Sequence, residues 1–160
     1  MTKPTFDFIG NYPEHIPLVA KWHQDEWHNI SPNLTTELRI KLYSSYPTYP
    51  NIPCSIIALL DGVPAGSASL VESDMETHPH LHPWLASVYV DKKYRCQGLA
   101  TQLITNIIDT ARSLDIKKLY LFTPDQAYFY KQRGWKLIEN YTYNGENVDI
   151  MSFEITSEDT

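Results

Sequence analysis

The stretch Val88-Tyr89-Val90-Asp91-Lys92-Lys93-Tyr94-Arg95-Cys96-Gln97-Gly98-Leu99-Ala100 decides how this chain is read. A β-branched and aromatic run passes into a basic turn, and the turn opens into a helical pattern. Leu99, Leu103, Ile104, Ile107, Ile108, Ala111 and Leu114 recur at helical spacing, an apolar face sustained over about four turns. A helix N-terminus presents unpaired N–H groups and the positive end of the dipole, which suits an anion. Arg95, Gly98 and Ala100 fall in the expected first turn, with Thr101 and Gln102 behind them. Gly98 lacks the Cβ that would hold a phosphate off the backbone. The same residues also fit an ordinary strand-to-helix junction whose glycine only eases the turn.

Upstream, residues 5–9 alternate and read as a strand closed by Gly10-Asn11. Pro13 opens a helix with Ile16, Val19, Ala20, His23 and Trp27 on one face. After a break at 29–33, a second helix over 35–45 is expected to carry Leu38 and Leu42 inward, before the proline-rich connector 46–51. Strands 55–60 and 63–71 form a hairpin about Asp61-Gly62, with Gly66 at a bulge or close approach. Residues 72–83 make a polar loop ahead of the strand 84–90.

Downstream, the run 117–122 is a strand that arrives parallel through the helical crossover. A short helix over 126–133 is stopped by Gly134. Residues 135–139 and 148–155 form a last hairpin about Asn144-Gly145, and 156–160 read as a flexible tail. The predicted class is α/β (mixed α+β): one domain over 1–155, with a mixed, mostly antiparallel twisted sheet of about seven strands and four helices.

At 160 residues, 42% apolar and 20% charged, the chain can build one core and is not a disordered sequence. No run of about 18 apolar residues spans a membrane, and Met1-Thr2-Lys3-Pro4 carries no apolar leader, so a cytoplasmic location is expected. Cys54 and Cys96 read as free thiols. A net charge of −6 argues against nucleic acid as a partner and is compatible with a cationic amine. A homodimer is one arrangement open to a chain of this kind.

Arg95-x-x-Gly98-x-Ala100 resembles the Arg/Gln-x-x-Gly-x-Gly/Ala signature of the GNAT superfamily of N-acetyltransferases, and the element order is similar over essentially the whole chain. The resemblance implies acetyl-CoA as co-substrate, with a cleft where the fourth and fifth strands splay apart. It implies that Val88, Tyr89 and Val90 offer main-chain groups to pantetheine, and that Arg95, Cys96, Gln97, Gly98, Leu99, Ala100 and Thr101 hold the pyrophosphate. Side chains 88 and 90 would then be core residues. Lys92 stands where a proline is common in the family, Cys96 where a glycine is usual, and no asparagine precedes the last helix. The segment 123–130, with Asp25-Glu26-Trp27, looks like the branch containing the actin N-terminal acetyltransferase, which fixes no substrate.

Acetyl transfer to an amine also needs protons moved. Phe129-Tyr130-Lys131-Gln132-Arg133-Gly134-Trp135 resembles the family segment whose tyrosine protonates the departing thiolate, which implies Tyr130 as general acid. Taken without that likeness, Tyr130 reads as a packing aromatic on a short helix. No carboxylate or histidine lies in Trp84-Leu85-Ala86-Ser87, so the candidate bases are Glu72, Asp74 and His82, with His80 also within the loop. A peptide α-amine, with a pKa of about 8, is partly neutral already and needs less of a base than a lysine amine at about 10.4. Trp27, Tyr46, Tyr49 and His80 are the candidate acceptor-site residues. The His78-Pro79-His80-Leu81-His82 run has no cysteine or carboxylate completing a zinc set, so no metal is expected. The expected acceptor is a small-molecule amine, aminoglycosides included, or a peptide α-amine. A catalytically silent acyl-CoA-binding module is the alternative.

Overall fold

The structure, a computed structural model, describes residues 3–156. Its sheet has seven strands: β1 (Thr5–Phe8), β2 (Cys54–Leu60), β3 (Val63–Val71), β4 (Trp84–Val90), β5 (Lys118–Thr123), β6 (Lys136–Tyr143) and β7 (Glu146–Glu154). The strands lie in the order β1-β2-β3-β4-β5-β7-β6, and every neighbouring pair is antiparallel except β4 and β5. Four α-helices accompany them: α1 (Ile16–Trp27), α2 (Thr36–Ser44), α3 (Leu99–Ser113) and α4 (Ala127–Lys131). This is the α/β arrangement expected from the sequence.

Helices cover both faces of β2, so it reads as a nearly continuous apolar run rather than an alternating one. Ile56 and Ala58 pack toward Leu103, Ile104 and Ile107 of α3, while Ile57 and Leu59 pack toward Ile16, Val19 and Ala20 of α1. Asp61 and Gly62, at φ 51° and 76°, make the hairpin turn that this dipeptide favours. Gly66 is the close approach: a Cβ there would lie 2.7 Å from the Tyr89 carbonyl oxygen and 3.1 Å from Leu103 Cδ1. The irregularity in the hairpin lies beside it, where the register shifts between Ala58 and Leu59.

Several boundaries differ from the sequence expectation. Ile9–Asn11 and Pro13–His15 are 3₁₀ turns, so β1 stops earlier and α1 starts later than the pattern suggests. The final hairpin is longer on both arms, and α4 is shorter. The largest correction concerns α2. Its cap is Thr35, whose hydroxyl accepts from the Leu38 N–H at 3.1 Å. Leu38 and Leu42 are 48% and 44% exposed, while Arg39 and Tyr43 are buried. The helix turns a polar pair inward because partners await there, as described below. Most of the expected tail, 157–160, lies outside the described residues. Thr156 accepts through its carbonyl oxygen from Arg112 Nε at 3.0 Å.

Candidate active site

β4 and β5 start together and then part. Trp84 pairs with Tyr120, the Tyr120 N–H donates to the Pro83 carbonyl at 3.1 Å, and no further register pair joins the two strands. On its other edge β4 stays paired with β3, but the register slips between Ser67 and Ser69, and Ser87 sits at φ 55°. The bulge bends β4 away and leaves its β5-facing edge open from Leu85 to Val90. A cavity of about 1120 Å³ occupies the gap.

The turn after β4 closes one end of this cavity. Asp91 accepts from the Lys93 N–H at 3.0 Å and starts a 3₁₀ turn, Lys92–Tyr94. Cys96 and Gly98 then take φ 65° and 82°, and α3 begins at Leu99. The first helical turn is therefore later than expected, with Gly98 as its N-cap and Arg95 outside it. A Cβ on Gly98 would meet no protein atom within 4 Å, so the space over this turn is open to a ligand. Arg95 folds back: its Nε donates to the Val90 carbonyl at 2.8 Å and its guanidinium lies 5.3 Å from the centre of the Tyr89 ring. It stiffens the cradle while bordering the cleft.

Opposite, Thr123 ends β5 and its hydroxyl accepts from the Gln126 N–H at 3.0 Å, opening α4. Tyr130 on α4 is buried, edge-on to Phe129 and Trp135, and borders the cavity. Its hydroxyl has no hydrogen-bond partner among the described residues. Burial, partly opposed by Arg133, pushes this phenol above its ordinary range. Arg133 itself is a site residue that sequence reasoning missed. It donates through Nε to Thr101 Oγ1 at 2.9 Å and through Nη1 to the Phe129 carbonyl at 2.8 Å, tying α4 to α3 on the cleft wall.

The other expected site residues divide. Trp27, Tyr46, Asp74, Val88, Tyr89, Val90, Cys96, Leu99, Ala100 and Thr101 border the cavity; Gln97, Glu72, His80, His82 and Tyr49 do not. Val90 is buried as a core residue should be, and Val88 is partly so. Glu72 and His82 are exposed and face each other at 3.8 Å. The 72–83 loop is more ordered than its polarity suggests. Met75 is fully buried, Tyr143 donates to Glu76 at 2.5 Å, and His78 meets Glu139 at 3.0 Å. Asp74 is held between these anchors and only partly exposed. Burial raises its carboxyl to about 7; Arg39 works against that shift and Glu76 adds to it. Among the described residues no group of three His, Cys, Asp or Glu could hold a metal, and no helix is long and apolar enough to cross a membrane. Both cysteines are free thiols, Cys54 buried and Cys96 exposed.

The model of the acetyltransferase (GNAT) family matches residues 16–135, a span from α1 through α4 that contains both walls of the cleft. The chain belongs to this family. Solved structures share the GNAT fold. The chain is similar to yncA of Salmonella typhimurium, a putative acetyltransferase solved with its cofactor acetyl-CoA, at 13% identity and TM-score 0.73, covering 99% of this chain and 98% of that one. It is similar to aminoglycoside 6′-acetyltransferase type Ii at 14% identity and TM-score 0.72, covering 98% and 99%. Ard1 of Thermoplasma volcanium matches at 17% identity and TM-score 0.71, covering 96% and 99%. At such identities the likeness establishes the fold alone, and the GNAT chemistry of this chain has to be argued from its own residues.

Proposed function

We propose that this GNAT protein is an acetyl-CoA-dependent N-acetyltransferase that acetylates a primary amine by direct attack within a ternary complex. The observation that carries the reading is Tyr130: a buried phenol whose hydroxyl has no partner among the described residues, on the wall of a cleft whose other end is the open Gly98 turn. The solved neighbour named with acetyl-CoA as its cofactor supports the same donor.

Acetyl-CoA supplies an acetyl group activated as a thioester. The residues do the rest. The β5-facing edge of β4, freed by the bulge at Ser87, is an unpaired strand edge that an extended amide-containing chain can join. Turn residues 96–101 offer N–H groups at the start of α3 to the pyrophosphate, with Arg133 as a nearby positive charge. Asp74 accepts the proton that the amine gives up, because its carboxyl is balanced between its two states near neutral pH. Tyr130 gives its proton to the sulfur as the C–S bond breaks. Burial keeps the phenol protonated until then, and the same desolvation strengthens the affinity of a thiolate for that proton.

The test is release of free thiol from acetyl-CoA in the presence of a broad panel of amines, beside calorimetry of acetyl-CoA binding. Binding together with amine-dependent release is expected. Binding without release for any amine would favour a silent acyl-CoA-binding module, and absence of binding would overturn the proposed donor.

A further inference from the structure

Away from the cofactor turn, one buried charge has no ion-pair partner at contact distance among the described residues. Arg39 of α2 is 4% exposed and borders the cleft. Its Nε donates to Gln24 Oε1 at 3.0 Å and its Nη1 to the Tyr43 hydroxyl at 3.4 Å, while Nη2 is shielded from solvent and has no partner. No carboxylate lies within ion-pairing distance of it among the described residues.

The groups that bond Arg39 directly, Gln24 and Tyr43, are neutral, and the carboxyl that its field reaches is that of Asp74. Tyr43 accepts from Arg39, and its hydroxyl meets His23 Nδ1 at 2.8 Å. On its other side, His23 Nε2 meets Ser67 Oγ at 2.9 Å. Burial first, and Arg39 second, lower the His23 pKa to about 3, so the imidazole is uncharged. The guanidinium is therefore oriented by two helical residues, Gln24 and Tyr43, while Nη2 is left unbonded and no carboxylate of the described residues reaches contact distance. A planar fork with an unused N–H is suited to a carboxylate. Asp74 borders the same cleft, and so do Trp27, Ile30, Leu34 and Leu42, which make an apolar wall.

We propose that the acceptor is an α-amino acid with an apolar side chain, its carboxylate bound by Arg39, its amino group directed to Asp74, and its side chain against the Trp27–Leu42 wall. The proposal rests on the transferase reading above and narrows it. It sets aside a peptide N-terminus, whose α-carbon carries an amide in place of the carboxylate.

Leucine, methionine and phenylalanine, each beside its carboxamide and its decarboxylated amine, serve as the probes. In the CoA-release assay the amino acids are expected to exceed both analogues by at least about 30-fold in kcat/KM, mainly through KM. In Arg39→Gln that gap collapses, and Arg39→Lys restores part of it. Equal rates for all three members of each series in the unaltered protein would overturn the proposal. So would an Arg39→Gln protein that slows all three alike while its melting temperature falls, since Arg39 would then only brace α2. If no amine releases CoA, the transferase reading fails, and calorimetry of the same probes on CoA-loaded protein decides the carboxylate site separately: tighter binding of the amino acids supports it, and equal binding removes it.

Discussion

In the proposed reaction Tyr130 and Asp74 divide the proton transfers between them, and each role has its own kinetic mark. Tyr130→Phe keeps the ring against Phe129 and Trp135 but has no proton to give. Turnover is expected to fall by about 100-fold or more, with the dissociation constant for acetyl-CoA changed by less than about threefold. Turnover within a few-fold of the unaltered protein would remove Tyr130 from the chemistry. As the proposed base Asp74 would act as a carboxylate, so kcat/KM should decline as pH drops through about 7, and Asp74→Asn should lower the rate and abolish that limb. The same shift sets a stability slope. A carboxyl raised from its unfolded value of about 3.9 favours the folded state when protonated, so the protein loses stability as pH climbs from about 4 to 7. Thermal melts of Asp74→Asn should show that slope flattened. Glu72→Gln and His82→Gln, an exposed pair off the cleft wall, should leave kcat/KM within about twofold, as surface changes generally do.

At the scale of the elements, the turn between β4 and α3 was legible because its chemistry is local. A β-branched strand, a glycine and an amphipathic helix follow one another, and periodicity plus turn residues suffice to place them. The conformation within the turn was less so: Cys96 in the left-handed region has no compositional signal. The interior of α2 was misread for a different physical reason. Leu38 and Leu42 are exposed apolar residues of that helix, yet Arg39 and Tyr43 are buried because Gln24 and His23 of α1 bond them, with Ser67 of β3 bonding His23 in turn. Those pairings span up to 44 residues of sequence, and a hydrophobic pattern cannot show them. Asp74 was one candidate base among three, and what separates it from Glu72 and His82 is the anchoring of its loop by Met75 and His78. The cradle itself is tested by Gly98→Val against Gly62→Ala. Both glycines have positive φ and open space around the missing Cβ, so each change should cost about 1–2 kcal/mol of stability from backbone strain. Only Gly98→Val should also weaken acetyl-CoA binding, by about tenfold or more in calorimetry. Equal affinities for the two variants would mean that the turn is a plain junction.

Across the whole molecule, the sheet is nearly two sheets. β1 to β4 form one antiparallel set and β5, β7 and β6 another, joined in register through Trp84 and Tyr120 alone. What keeps the halves together is mainly side-chain packing: Leu85 on one side and Leu119, Leu121 and Met151 on the other belong to a single core with α3. A ligand seated in the gap therefore bridges two halves that the backbone scarcely connects, and its binding should be read in global stability as well as locally. At a concentration about 100 times its dissociation constant, acetyl-CoA adds about 2.7 kcal/mol to the folded state. For a chain of this size that corresponds to a rise in melting temperature of about 5–10 °C. Amide exchange should slow most along β4 beyond Trp84, along β5 beyond Tyr120 and at residues 96–101, and change little in β1 and β6 at the sheet's two edges. A thermal shift accompanied by uniform protection, or by protection confined to the α1–α2 side, would mean that acetyl-CoA does not occupy the opening between β4 and β5. The absence of an effect on the 72–83 loop is also expected with acetyl-CoA alone, because the loop is held by the protein's own contacts and the proposed partner of Asp74 is the amine.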